Sequence, residues 1–389
     1  MKRTRHKRRG GLSRETEALM RMAIGLSESG CRAEDQHWER RLTVAIDDML
    51  RAQDEDGLNA ALDTLHAQHP QAYEELADFI ESRAECASGI SEDHEILLIG
   101  APVLAWSRYK IPASTIVPAV LSNLRVHLQA HIVAENARIA LADFLFSPDQ
   151  LPQGYCATAE FAAALGRAAL EGHDLHIATE GLPETAQFLS DTRYLLAAVA
   201  VPRGEPLFAW QEEGSNRDSA FTRWRNQGGA CLAPIMPGCA TEVVLPEAYF
   251  AASRHADSHS RPYSIRASVA FLGAELDTPA ASLRAVIAPF HDEKLEEYRI
   301  GFSVRDREQV VHGVVWPLLG AEDEHSDIPL QIESVLRDCG VTDIVNQEHR
   351  FPLEYCDDCG APMYPSAEGE TVHAEMPESH GESTPRHLH

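Results

Sequence analysis

The sequence predicts an α/β fold with some α+β character: a helical N-terminal layer, two tandem similar β-α-β-α modules, a small C-terminal sheet and a Cys-x-x-Cys metal knuckle. Three observations predict it. Eleven apolar or small residues run unbroken through ILLIGAPVLAW (96–106), the length and composition of a strand buried on both faces. A second such run follows further on, LLAAVAV (195–201) and then EPLFAW (205–210). Near the end, YCDDCGAP sets Cys356 and Cys359 in a C-x-x-C-G turn.

Residues 15–90 read as helices. Leu19, Met22, Ala23 and Leu26 follow the helical period, with Gly30 as the expected stop. Trp38, Leu42, Ala45, Ile46, Met49 and Leu50 form a second stripe; Leu58, Ala61, Leu62 and Leu65 a third; Tyr73, Leu76, Ala77 and Ile80 a fourth. Pro70 sits where a first-turn proline is tolerated.

The first module spans 93–190: the buried strand, a helix over 116–131, a strand over 138–146, a break at SPDQLP and an alanine-rich helix over 158–170. The second spans 191–280 and repeats that order. Trp106 and Trp210 stand 104 apart, and the same offset aligns Pro102 with Pro206, Ala105 with Ala209, Leu128 with Leu232, Leu141 with Leu245 and Phe146 with Phe250. A constant offset implies an internal duplication.

Residues 281–350 turn to strands. Tyr298, Ile300, Phe302 and Val304 alternate with Glu297, Arg299, Gly301 and Ser303, the mark of a strand with one wet face. VVHGVVWPL (310–318) completes a hairpin. The acidic loop from Glu322 to Asp327 is expected to be solvated. A helix bearing Ile328, Ile332, Val335, Leu336 and Cys339 then ends at Gly340, and VTDIV makes a last strand. Residues 351–375 hold the knuckle; 1–14 and 376–389 read as disordered tails.

Composition narrows the function classes. The net charge of −26 hides a split, because the first 14 residues carry seven Lys and Arg and no acid. The remainder sets 27 basic residues against 60 acidic ones, a net −33, so the body repels nucleic acid. Weak nucleic-acid or ribosome contact through residues 1–14 is the one such partner the charge allows. No apolar run reaches the 18 or so residues that span a bilayer, which predicts no membrane association. The basic start lacks an apolar region to make it a secretory signal. A cytoplasmic location follows, with the eight scattered cysteines as reduced thiols or metal ligands.

The strongest chemical signal is the knuckle. Cys356 and Cys359 can turn two thiolates to one tetrahedral cation, and His373 follows at a spacing suited to a third ligand, so structural zinc is the expected cofactor. Cys339, His349, His380 or an aspartate are candidates for the fourth. A redox pair is disfavoured by Asp357 and Asp358, whose charges oppose a thiolate; two free thiols in a turn are the plain alternative. His127 and His131 lie one helical turn apart, but Leu128 stands where a zinc protease needs Glu, so they read as structural. Arg254, His255, His259, Arg261, Tyr263 and Arg266 form a small basic patch expected to pair with carboxylates. His312, inside an apolar strand, reads as a satisfied core histidine. No G-x-S-x-G, G-x-x-x-x-G-K-[ST], G-x-G-x-x-G or H-E-x-x-H occurs, which removes support for the common hydrolase, nucleotide-binding and zincin readings.

The stretches GAPVLAWSRYKIP, HLQAHI, RPYSIRA, EYRIGF, VHGVVWPL, CDDCGAP and VHAE together resemble the uncharacterised "domain of unknown function 2863" proteins of betaproteobacteria. The resemblance implies a bacterial cytoplasmic protein with a C-x-x-C near its end, and carries no catalytic residue or substrate with it. The basic start and the histidine-containing end are the parts expected to be shared least. Three function classes follow in order: a non-catalytic binding or scaffold protein with a structural zinc knuckle; an enzyme with its pocket between the two modules; a nucleic-acid- or ribosome-associated factor acting through its tail.

Overall fold

The computed structural model describes residues 12–185, 188–305 and 307–377. Most of the basic tail, and the end of the chain from residue 378, lie outside the described residues.

Four helices form the N-terminal layer that the apolar stripes predict: α1 (Arg14–Ser27), α2 (Arg32–Arg51), α3 (Glu55–Gln68) and α4 (Pro70–Glu85). Ser13 caps α1 by accepting the Thr16 N–H, Asp54 caps α3 through Gly57, and Pro70 occupies the first turn of α4. The stripe residues Leu19, Leu42, Ile46, Leu58, Leu65, Leu76 and Ile80 are fully buried in one shared core. Helix α1 ends before Gly30, because the Glu28 N–H already reaches the Ile24 carbonyl in right-handed backbone. No left-handed glycine is needed there.

The next ten elements build the central sheet and its covers: β1 (His94–Trp106), α5 (Pro118–His131), β2 (Arg138–Phe146), α6 (Gly154–Glu171), β3 (Ser190–Pro202), α7 (Arg217–Arg223), irregular helical turns over 224–235, β4 (Ala240–Val243), β5 (Glu247–Ala248) and α8 (Tyr249–Glu275). The sheet order is β2-β3-β1-β4, with β5 also on β1. Strands β1 and β3 run antiparallel from His94 opposite Pro202 to Trp106 opposite Ser190. The two segments expected as modules therefore interleave in one sheet. Helix α5 and the 224–235 turns cover one face; α6 and the start of α8 cover the other.

EPLFAW is not a strand. The chain turns at Gly204 (φ +86°), and the Leu207 and Phe208 N–H groups donate to the Gln211 side chain at 2.8 Å each instead of to a neighbouring strand. Trp106 thus ends β1, whereas Trp210 lies in a helical turn stacked on Phe208.

Helix α8 links the two cores. Its first half meets β1 at Gly100, where an added Cβ would lie 3.1 Å from the Ala252 Cβ. Its second half sends Tyr263, Ile265, Val269 and Leu272 into the C-terminal core. That core lies on one face of a second sheet built from β6 (Leu283–His291), β7 (Leu295–Val304), β8 (Val310–Pro317), β9 (Asp343–Asn346) and β10 (Phe351–Pro352), with α9 (Ile328–Asp338) packed beside α8. The order is β10-β6-β7-β8, and β9 and β10 both run parallel to β6. Gly340 (φ +89°) closes α9 as expected.

The face of β7 expected to be wet is covered. Arg299 is fully buried and Ser303 nearly so, because the C-terminal segment folds back over them as a strap. A short hairpin, β11 (Tyr364–Pro365) and β12 (Thr371–Val372), lies against β7. Among the described residues no helix is long and apolar enough to cross a membrane.

Candidate metal centre

The strap has few apolar residues of its own. Phe351, with the half-buried Leu353 beside it, joins Ala288 and Phe290 in a small satellite core, and Ala361 is buried. The docking depends on Arg299 and two glycines. The Arg299 Nη1 donates to the carbonyls of Glu354 (2.6 Å) and Met363 (2.8 Å), and its Nε to Glu297 at 2.6 Å. Its guanidinium lies over Phe290 (4.3 Å to the centroid) and Tyr355 (5.0 Å), favourable for a cation on aromatic faces. Gly301 pairs with Gly313 across the β7–β8 hairpin. An added Cβ on Gly301 would stand 2.3 Å from the Pro365 carbonyl oxygen, and one on Gly313 would enter the Tyr364 ring. The paired glycines give a flat patch on which backbone lies directly.

The knuckle rises from this base. Tyr355 bridges to Pro362, the Cys356 N–H donates to the Ala361 carbonyl at 2.7 Å, and the Gly360 N–H to the Cys356 carbonyl at 2.8 Å. Gly360 takes φ +74°, the left-handed conformation that glycine adopts without penalty. The β11–β12 hairpin then turns the chain back, so that His373 follows β12 directly.

Cys356, Cys359 and His373 present one donor atom each, all within 4.8 Å of one another. The Cys359 Sγ lies 3.3 Å from the His373 Nε2. Ligands around a tetrahedral zinc, with bonds of about 2.0–2.3 Å, stand about 3.3–3.8 Å apart, so the Cys359–His373 pair already has that spacing and the three donors together could hold an ion. The His373 Nδ1 side faces Glu375 at 3.8 Å, a carboxylate placed to orient a ligating ring.

Backbone N–H groups of Asp358 and Cys359 point at the Cys356 sulfur and hold its thiol below the ordinary range. They outweigh the repulsion from Asp358 expected to disfavour a thiolate there. The Cys359 sulfur also receives a backbone N–H, from Ala361, but desolvation and the neighbouring Cys356 push its thiol up. The two thiols share a proton balance, and a bound cation would deprotonate both.

The remaining candidates are dispersed. Cys339 caps α9 and packs against the C-terminal core, and the His349 ring lies on Phe351 with centroids 3.9 Å apart. Neither belongs to the donor group, and His380 lies outside the described residues. His127 and His131 stack on each other, and the His131 Nε2 meets Gln227 at 3.0 Å. In the basic patch, Arg254 pairs with Glu81, His255 with Glu247, Arg261 with Glu322 and Arg266 with Glu242. Burial lowers the His312 imidazole to about 4, with Ser268 at 2.9 Å from its Nε2. The acidic loop is more than solvated: burial works against the Glu322 charge, but Arg261 and the Leu319 N–H hold its carboxyl below the usual range.

Sequence reasoning passed over two buried arginines, Arg299 and Arg193. The latter is fully buried, pairs with Asp191 and donates to the carbonyls of Ile111 (2.9 Å) and Pro112 (2.8 Å), pinning the loop after β1. The facing glycines of the β7–β8 hairpin were the legible sign that another backbone approaches there.

Fold and site together define a mixed α/β protein with a Cys-Cys-His knuckle docked on its second sheet. The chain belongs to the family described as "Protein of unknown function (DUF2863)", which it matches over residues 4–387. That match runs through most of the basic start and the histidine-containing end, the parts expected to be shared least. No curated protein and no solved structure matches the chain.

Proposed function

We propose that this is a non-catalytic binding or scaffold protein of the cytoplasm, whose C-terminal strap is held down by a structural zinc at Cys356, Cys359 and His373. The observation that carries the reading is the convergence of two sulfurs and one imidazole within 4.8 Å, in a segment without a core of its own. Two thiolates and an imidazole suit zinc better than the hard cations, which take oxygen ligands. Metal binding is then folding energy for the strap. Treating the full-length protein with a chelator is expected to open residues 352–376 to protease while the two sheets resist. Equal resistance of the strap with and without chelator would count against the reading.

The enzyme alternative asks for a cleft between the two segments, but where they meet β1 and β3 share a continuous ladder. The tail alternative rests on residues 1–14 alone. The duplication remains part of the reading, but not at one constant offset: β1 from His94 and β3 from Ser190 start 96 residues apart rather than 104, which leaves Trp106 and Trp210 inequivalent. Its support is that the order β2-β3-β1-β4 maps onto itself when β1 exchanges with β3 and β2 with β4, while α5 and 224–235 share one face and α6 and α8 the other.

A further inference from the structure

On the helical face of the second sheet lies a cavity of about 380 Å3, walled by β6, β7, the start of α9 and the chain joining β9 to β10. Small-molecule sites run from about 300 to 1,000 Å3, so this one suits a small ligand. Its origin is a bulge. Strands β9 and β10 pair with the same edge of β6, Asn346 opposite Ile287 and Phe351 opposite Phe290. Five steps along one chain thus match three along the other, and residues 348–350 leave the ladder after the Gln347 N–H has bonded the Ile287 carbonyl at 2.9 Å. Bulges of this kind re-aim side chains and recur beside binding sites.

The floor is apolar, made by Ile287, Pro289, Leu295 and the Tyr298 ring. The mouth is different. There one carboxylate, that of Glu324, sits between two nitrogen donors. Arg350 grips it with Nη2 at 2.8 and 3.0 Å, and the His291 Nε2 lies 3.5 Å away. His291 is nine-tenths buried, with its side chain 10% exposed, and its Nδ1 has no hydrogen-bond partner in the protein. Glu324 and Arg350 themselves are exposed, at 46% and 67%, so their pair gains little from water exclusion and is easily exchanged.

We propose that this cavity binds a small monocarboxylate: the ligand's carboxylate replaces that of Glu324 between His291 and Arg350, and its apolar tail lies on the floor. Glu324 acts as an internal competitor closing the mouth. The one other charged lining residue is Glu348, so the rival occupant is a cation. The Cys-Cys-His knuckle lies on the strap side of the sheet, although the cavity-lining Gln347 donates to the Ser366 carbonyl of the strap at 2.7 Å.

Titration of the full-length protein with hexanoate, hexanamide and hexylamine, followed by calorimetry or ligand-observed NMR, tests this. Hexanoate is expected to bind, and hexanamide about tenfold or more weaker, since it lacks the charge that Arg350 recognises. Glu324→Gln is expected to bind hexanoate several-fold more tightly, because the closed state no longer competes; Arg350→Ala is expected to lose about tenfold or more. Both positions are exposed, and an unchanged thermal midpoint confirms intact folding of each variant. Preference for hexylamine, or no hexanoate binding to wild type and Glu324→Gln alike at millimolar concentration, would overturn the proposal.

Discussion

The central sheet and the C-terminal strap are stabilised in opposite ways. Strands β1 and β3 are buried on both faces over most of their length, so apolar burial, at roughly 25 cal/mol per Å2, together with their long shared ladder, holds them in place. The strap from residue 352 to 376 contributes few apolar side chains. It is held by one buried guanidinium and two glycines that let backbones touch, and it carries a Cys-Cys-His cluster that could hold a metal ion. A strand that carries its own apolar surface tolerates single polar losses. A segment fastened at a few polar points does not, and that asymmetry is open to direct attack.

The largest effect is expected at Arg299. Its removal leaves the Glu354 and Met363 carbonyls without their donor and Glu297 without its partner, so Arg299→Ala should cost about 3–5 kcal/mol, the scale for breaking a buried charged group out of its network. Denaturant unfolding measures it. A loss below about 1 kcal/mol would mean that the strap does not depend on this contact.

Gly301→Ala comes next. The new Cβ would stand 2.3 Å from a backbone oxygen, which no side-chain rotation relieves, and overpacking of this kind costs about 1–3 kcal/mol. The damage should be local, with faster proteolysis after Phe351 and little change in the central sheet. Equal loosening of both regions would erase the distinction between them.

A third change sharpens the comparison from the other side, by altering the body and leaving the strap alone. Glu85 of α4 accepts the Phe250 N–H at 3.1 Å, joining the helical layer to α8. Burial pushes its carboxyl up from 4.5 to about 7, with Glu81 adding to the rise and the Phe250 N–H and Arg254 opposing it. The folded state therefore binds this proton more tightly than the unfolded one. Stability falls as pH rises from about 4.5 to 7 and stays low above that window. Glu85→Gln keeps an oxygen for Phe250 and removes the charge. It should stabilise the protein by about 1–2 kcal/mol at pH 8 and not at pH 4, read from thermal midpoints. Identical pH profiles for variant and wild type would contradict this.

Much of this architecture is legible in the sequence because it is local. Helical stripes gave four N-terminal helices, the unbroken run of 96–106 gave β1, and Gly340 marked the end of α9. Cys356, Cys359 and His373 were legible for the same reason, as a turn motif plus a spacing. What was missed is non-local. Alternation in β7 reports that one side is polar, not that water covers it, and a strap arriving some 60 residues later buried Arg299. EPLFAW is the local exception: it looked like a strand by composition, yet it makes an isolated bridge from Phe208 to Val133 while Gln211 takes the Leu207 and Phe208 N–H groups. The interleaving of two segments in one sheet follows from pairings that no short window contains.

The central claim is that a metal fastens the strap, and zinc content tests it most directly. Full-length protein purified in reducing buffer without chelator should contain about one equivalent of zinc, and Cys356→Ser or Cys359→Ser should lose most of it while the two sheets stay folded. Wild-type protein without zinc under those conditions would contradict the claim and leave Cys356 and Cys359 as two free thiols in a turn.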